Sequence, residues 1–77
     1  MKRLSLVQMK VNQKGKLFEI VGGKALADKL NGMGVYKGKE IVLLSHFIFR
    51  GPVAVKVGRS VLALGYGMAK KIMVETE

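Results

Sequence analysis

The chain has 77 residues with 49% hydrophobic and 25% charged side chains, which is the composition of a folded globular protein. We expect a single domain, residues 1–77, because a chain this short has no room for a second core. It has no cysteine and one histidine, which excludes disulfides, thiolate metal sites and any site with two imidazoles. Its net charge of +9 favours an anionic partner, such as nucleic acid, an acidic protein face or lipid headgroups.

The N-terminal quarter of the chain predicts an apolar lead-in followed by a strand. Residues 4–9 are a short apolar stretch, which we interpret as an edge strand or an extended arm. A turn cluster at residues 13–16 separates this stretch from residues 17–21, which alternate as the two faces of a strand do. Gly22 and Gly23 then end the strand.

The next segment changes to a helical period. Leu26, Leu30 and Met33 are spaced at i, i+4 and i+7, so an amphipathic helix beginning at residue 24 would place all three on its buried side. The helix is expected to end at the glycines that follow, because Gly34 can adopt the left-handed conformation of a helix end at little cost. Val35 would then close the exit with an apolar contact.

The second half of the chain predicts four further strands, at residues 39–49, 53–57, 61–64 and 72–74. Residues 65–70 separate the last two as a short corner or a single helical turn. With the strand at 17–21 this makes five strands and one short α-helix. The predicted fold class is therefore mainly β, a small and strongly bent five-stranded antiparallel barrel.

The order of these features resembles a known family. The motifs that carry the resemblance are Gly22-Gly23, Leu26 with Leu30, Met33-Gly34-Val35, Lys37-Gly38, Gly51-Pro52-Val53-Ala54-Val55, Val57-Gly58, Leu62-Ala63-Leu64, Ala69 and Ile72-Met73-Val74. As an ordered set over residues 4–74 they resemble the FeoA family, the small cytoplasmic companion of the bacterial ferrous iron transporter FeoB. The same domain also occurs at the C-terminus of metal-dependent repressors of the DtxR type.

The resemblance implies an SH3-like barrel and a non-enzymatic role in ferrous iron uptake. It implies contact with the cytoplasmic, GTP-binding part of a FeoB-type transporter. It implies no cofactor and no catalytic residue. Whether the chain also forms a homo-oligomer through a barrel edge stays open at this point.

The residues themselves predict neither catalysis nor a metal site. The Gly-Lys pairs that begin at residues 15, 23 and 38 all lack the glycine that a phosphate-binding loop needs five residues upstream. His46 and Glu40 are the best metal ligands available, but on an extended strand they would lie about 20 Å apart. We therefore expect no metal, no cofactor and no enzyme activity, and we interpret His46 as a hydrogen-bonded strand residue.

Two groups of side chains are candidates for protein contact. Phe49, at the end of the longest strand and beside Arg50, has the composition of a contact hot spot, whereas Phe47 is expected in the core. The helix and the turn after it would offer a set of lysines to an acidic partner, namely Lys24, Lys29, Lys37 and Lys39.

The alternative function is a small basic barrel that binds nucleic acid. Its phosphate contacts would come from the lysines, and base stacking would need several aromatic side chains on one exposed sheet face. The chain has three Phe, two Tyr and no Trp, so nucleic acid is the less favoured partner.

The sequence predicts no insertion into a membrane. The longest almost apolar stretch, residues 41–49, is less than half the length of about 20 residues that a spanning helix needs. The apolar core of a signal peptide is interrupted by Gln8, Lys10 and Asn12. We therefore expect a cytoplasmic location.

Overall fold

The computed structural model describes residues 1–46 and 49–77, so the expectation for Phe47 falls outside the described residues. Its strands are β1 (Lys2–Ser5), β2 (Lys14–Ile20), β3 (Glu40–His46), β4 (Val53–Val57), β5 (Ser60–Leu64) and β6 (Ile72–Thr76). The helices are α1 (Lys24–Gly32), the single turn α2 (Tyr66–Ala69) and a 3₁₀ turn at Leu6–Gln8. Neither α1 nor α2, the α-helices of the described ranges, has the length and hydropathy that crossing a bilayer requires.

The strands form one antiparallel sheet in the order β1-β6-β2-β3-β4-β5. Irregularities in register interrupt β2 between Leu17 and Glu19 and β3 between Leu43 and Ser45, where a bulge increases the local bend. The prediction of a mainly β, strongly bent antiparallel barrel is confirmed. Of the two alternatives for residues 65–70, the structure contains the helical turn.

The strand count is six rather than the predicted five, because the N-terminal residues form a true edge strand. Leu4 pairs with Val74, and Lys2 pairs with Thr76. The remainder of the predicted apolar arm turns away as the 3₁₀ turn, and it places Leu6 and Met9 in the core at 0% and 3% exposure. The sequence left the choice between strand and arm open, and this segment contains a strand followed by a turn.

The core is made from one face of each strand. The alternation predicted for residues 53–57 is observed, since Val53, Val55 and Val57 are buried and the side chains between them are not. The same core takes apolar side chains from the other elements, namely Leu17, Leu30, Val35, Ile41, Leu43, Leu64, Ala69, Ile72 and Val74. At about 25 cal/mol for each Å² of apolar surface removed from water, this burial is the main force that holds the fold together.

Helix α1 ends in a Schellman motif. The N–H of Val35 donates to the carbonyl of Leu30 at 2.9 Å, and the N–H of Gly34 donates to that of Asn31 at 3.0 Å. Gly34 has φ of +83°, the left-handed conformation that the motif needs. Leu30 and Val35 are both fully buried, so the predicted apolar closure of the helix is confirmed.

Met33 does not lie in the core as predicted. It is the C-cap residue of α1, with φ of −94° and ψ of 4°, and its side chain is 37% exposed. The helical period that placed it beside Leu30 ends at Gly32, one residue earlier. Leu26 is half-buried, so the buried side of α1 rests mainly on Leu30.

Replacing the last residue of α1, Gly32, and the glycine just after its C-cap, Gly34, by alanine should change stability in opposite directions. Gly34→Ala should lower the free energy of unfolding by about 1 kcal/mol, because alanine is strained at this positive φ. Gly32→Ala should raise it by about 0.5 kcal/mol, because Gly32 is helical and a Cβ there meets no atom within 4 Å. Urea unfolding of both variants measures the difference, and equal effects would contradict the assignment of the helix end.

The second glycine that the packing requires is Gly15, in the middle of the sheet. A Cβ at this position would lie 2.6 Å from Cγ1 of Val74 and 3.0 Å from Cγ2 of Thr76, both on β6. These side chains are buried and cannot move into solvent. The close approach of β2 and β6 therefore depends on a residue without a side chain.

Gly15→Ala should lower the free energy of unfolding by about 1–3 kcal/mol, the usual cost of overpacking a core. The matched control is Gly67→Ala in α2, where a Cβ meets nothing within 4 Å, and it should change stability by less than about 0.5 kcal/mol. The urea midpoint at constant m-value is the measurement. A Gly15→Ala variant as stable as the control would show that β2 and β6 can separate freely.

Candidate functional site

The turn between β3 and β4 presents a large apolar side chain to solvent. Phe49 is 94% exposed, and Arg50 beside it is also exposed. Both residues have left-handed backbones, with φ of +58° and +60°. In the described part of the chain, Asn12 is the one other non-glycine residue with positive φ, and asparagine tolerates it best. A conformation that disfavours bulky residues thus holds Phe49 and Arg50 away from the core.

The surroundings of this turn come from elements that are distant in sequence. The Arg50 guanidinium carbon lies 5.9 Å from the ring centre of Tyr66, at the outer limit of a cation–π contact. Before the turn, Nε2 of His46 lies 2.8 Å from the carbonyl oxygen of Met9, to which it donates. This bond ties the end of β3 to the N-terminal segment, and it confirms the interpretation of His46 as a hydrogen-bonded strand residue.

The four lysines predicted to contact a partner lie on α1 and on the loop that follows it. Lys24 pairs with Asp28 at 3.5 Å, an exposed i,i+4 contact worth only a few tenths of a kcal/mol. Lys29 is exposed, as is Lys37. Lys39 is half-buried and its Nζ lies 5.3 Å from the ring centre of Tyr36.

The structure separates two of the predicted lysines, Lys37 and Lys39, from Phe49 and Arg50. Lys37 and Lys39 precede β3, whereas Phe49 and Arg50 follow it. The seven residues of β3 separate them by about 20 Å along an extended strand. A partner that contacts Phe49 together with Lys37 or Lys39 must therefore extend over the length of β3.

Two features near the lysines were not foreseen from the sequence. Arg3 stacks on Phe18 with its guanidinium carbon 4.0 Å from the ring centre, and its Nε donates to a carboxylate oxygen of Glu75 at 3.2 Å. Lys39 also shares a depression of about 450 Å³ with two further lysines, Lys14 and Lys56. Both of these residues pair with Val42, so the depression follows from a strand register that the sequence pattern could not specify.

The acidic and imidazole side chains do not converge. Within residues 1–46 and 49–77, no three His, Cys, Asp or Glu side chains are grouped so that they could hold a metal ion. Glu40 and His46, the best ligand pair in the sequence, stand at opposite ends of β3.

Comparison with models of protein families shows to which family the chain belongs. The model of the FeoA domain matches residues 4–76. The chain belongs to the FeoA family. This confirms the resemblance seen in the ordered motifs, and it supports a role in ferrous iron transport for a small accessory domain. No match was found among curated proteins.

Solved structures agree with this assignment. The crystal structure of an iron uptake regulatory protein, FeoA, has 32% identity and a TM-score of 0.85, with 97% of each chain covered. The FeoA-like protein of Clostridium acetobutylicum has 28% identity and a TM-score of 0.84, with 99% of this chain and 88% of that one covered.

A manganese-dependent transcriptional repressor shares the fold with a TM-score of 0.87. Its identity is 17%, and the match covers 97% of this chain and 42% of the repressor. The likeness therefore concerns the fold of one part of a longer protein. The SH3-like barrel expected of the FeoA domain is confirmed by these structures.

The left-handed turn gives a direct test of backbone strain. Arg50→Gly should raise the free energy of unfolding by about 0.5–1 kcal/mol, because glycine adopts φ of +60° without steric cost. The matched control is Arg59→Gly in the turn between β4 and β5, where φ is not positive and the same change should lower stability by a similar amount. Thermal and urea unfolding measure both. If Arg50→Gly lost as much stability as the control, the backbone of Arg50 would not be strained.

Proposed function

We propose that this FeoA-family chain is a non-enzymatic accessory protein of bacterial ferrous iron uptake that docks onto the cytoplasmic GTP-binding domain of a FeoB-type transporter. The observation that carries the proposal is the exposure of Phe49 on a left-handed turn. A phenylalanine that is 94% exposed does not stabilise the fold by burial. Burying it in a partner would contribute about 1.5–3 kcal/mol to the binding free energy.

Arg50 gives the same turn a polar contact. Arginine and aromatic residues are the types most enriched at interface hot spots, where a small cluster carries most of the binding energy. The ring centre of Tyr66 lies 5.9 Å from the guanidinium carbon of Arg50, so a second aromatic side chain adjoins the turn. We propose Phe49 and Arg50 as the contact centre.

The lysines of α1 and its following loop would act differently. Lys29 and Lys37 are exposed cations on a chain of net charge +9, so they would speed the approach of an acidic surface and orient it. Lys24 is partly neutralised by Asp28, and Lys39 lies against Tyr36. We propose all four as the outer, salt-sensitive part of the contact.

The distribution of aromatic side chains favours this proposal over nucleic-acid binding. Stacking of bases needs several rings on one exposed sheet face. Phe18 lies on β2 beneath Arg3, Tyr36 in a loop, Phe49 in a turn and Tyr66 on α2. In the described residues these rings form no common platform.

Truncating the exposed ring should weaken binding without affecting the fold. In a titration of the full chain against the isolated GTP-binding domain of its cognate transporter at 0.15 M salt, Phe49→Ala should raise the Kd about 10- to 30-fold. Val21→Ala is the matched control, an exposed apolar residue at 49%, and should leave the Kd within about twofold. Amide NMR spectra report both binding and folding.

Two results would overturn the proposal. One is saturable binding that Phe49→Ala and Val21→Ala weaken equally. The other is no response to the transporter domain, together with tight binding of a mixed-sequence oligonucleotide whose Kd rises steeply with salt. The second result would indicate that the net charge of +9 serves to bind nucleic acid.

A further inference from the structure

The sheet has two edge strands that differ in how they are protected. At one edge, β1 carries Lys2 and Arg3, charges that oppose the addition of another strand. At the other edge, β5 has the sequence Ser-Val-Leu-Ala-Leu, with no charge, no proline and no bulge. In the described part of the chain β5 pairs with β4 alone. It therefore lacks three devices that often prevent edge pairing, namely charged side chains, proline and a bulge.

The hairpin between β4 and β5 determines which backbone groups of β5 are available. Val57 pairs with Ser60 across the two-residue turn Gly58-Arg59, and Gly58 has the positive φ of such a turn. In antiparallel strands hydrogen-bonded pairs alternate with pairs that are not bonded to each other. Counting from the turn, Val61 and Ala63 direct their N–H and C=O groups away from β4.

The side chains of these two residues leave the edge accessible. Val61 is 65% exposed, which among the large apolar side chains of residues 2–46 and 49–77 is second only to Phe49. Ala63 is also exposed and too small to hinder a neighbouring strand. An apolar, neutral strand on a chain of net charge +9 is the one edge to which a second positively charged chain can come close.

We propose that β5 pairs with β5 of a second copy of this chain, antiparallel and about a two-fold axis at Leu62. In this register Val61 of each copy lies opposite Ala63 of the other. These residues carry the outward backbone groups, so the two pairs form four hydrogen bonds. The two sheets then continue into each other, and the interface is isologous, as in most homodimers.

The neighbouring charges are compatible with this register. Arg59 of one copy falls opposite Gly65 of the other, so no two cations face each other across the strands. On the outer face, Val61 lies between Lys56 of its own β4 and Ala63 of the second copy. Within the second copy, Ala63 pairs with Ala54 of β4. The remaining repulsion is long-range and screened by salt. The dimer should therefore become stronger as salt increases, the opposite of binding to an anionic partner.

The test is the oligomeric state of the full chain by sedimentation equilibrium between 10 µM and 1 mM, at about 0.15 M and 0.5 M sodium chloride. The wild-type chain should approach twice the monomer mass, with a lower dimer Kd at the higher salt. Val61→Lys should raise the dimer Kd at least tenfold, because it places a cation on the paired edge. Val21→Lys, the same change at a position that is 49% exposed, should leave the Kd within about threefold.

Ala63→Lys is a second variant that should act like Val61→Lys, and amide NMR spectra establish that each variant is folded. A monomer at 1 mM and 0.5 M salt overturns the proposal. So does a dimer that both lysine variants of β5 leave intact, because another surface must then form it. The proposed docking through Phe49 uses other residues, and either idea can fail while the other holds.

Discussion

The close packing of β2 against β6 at Gly15 is the constraint on which the rest of the fold depends. β6 lies between β1 and β2, so the side chain of Val74 contacts the bare backbone of Gly15 where the N-terminal and C-terminal segments meet. From β2 the sheet continues to β3, β4 and β5, and its inner face closes over one apolar core. The chain has no cysteine that could hold these strands together, so their spacing is set by the backbone hydrogen bonds of the sheet and by side-chain packing.

The left-handed turn at Phe49 and Arg50 departs from what the chain does elsewhere. Five glycines also have positive φ, namely Gly22, Gly23, Gly34, Gly38 and Gly58. At its other described positions with positive φ the chain therefore uses glycine, which adopts this conformation without steric cost, or in one case asparagine, at Asn12. At residues 49 and 50 it carries a large ring and a guanidinium group instead, and the ring is 94% exposed. Such strain persists only where the surrounding structure holds the backbone in place.

Local signals predicted much of the local structure, although residues 13–16, expected as a turn, lie mostly in β2 and Met33 is not in the core. The alternation of Val53, Val55 and Val57, the helix end at Gly34 and the turn at α2 all depend on neighbours in sequence, and all three are present. Strand β1 was uncertain because its partner is 72 residues away at the other end of the chain, beyond the reach of any periodicity. For the candidate site, the sequence singled out Phe49 and Arg50 but placed Phe49 at the end of a strand, whereas it lies in the turn after β3. The sequence predicted neither the left-handed backbone of this turn nor the approach of Tyr66 to Arg50. Both depend on the packing of distant elements.

The pairing of Lys2 with Thr76 brings the two ends of the chain to the same place in the sheet. Adjacent strands are about 4.8 Å apart, so a few residues of flexible linker could join residue 77 to residue 1 without disturbing either strand. The same geometry allows the barrel to be inserted into a loop of another protein as a compact module, with entry and exit side by side. The order of the strands in space is thus compatible with more than one order along a chain.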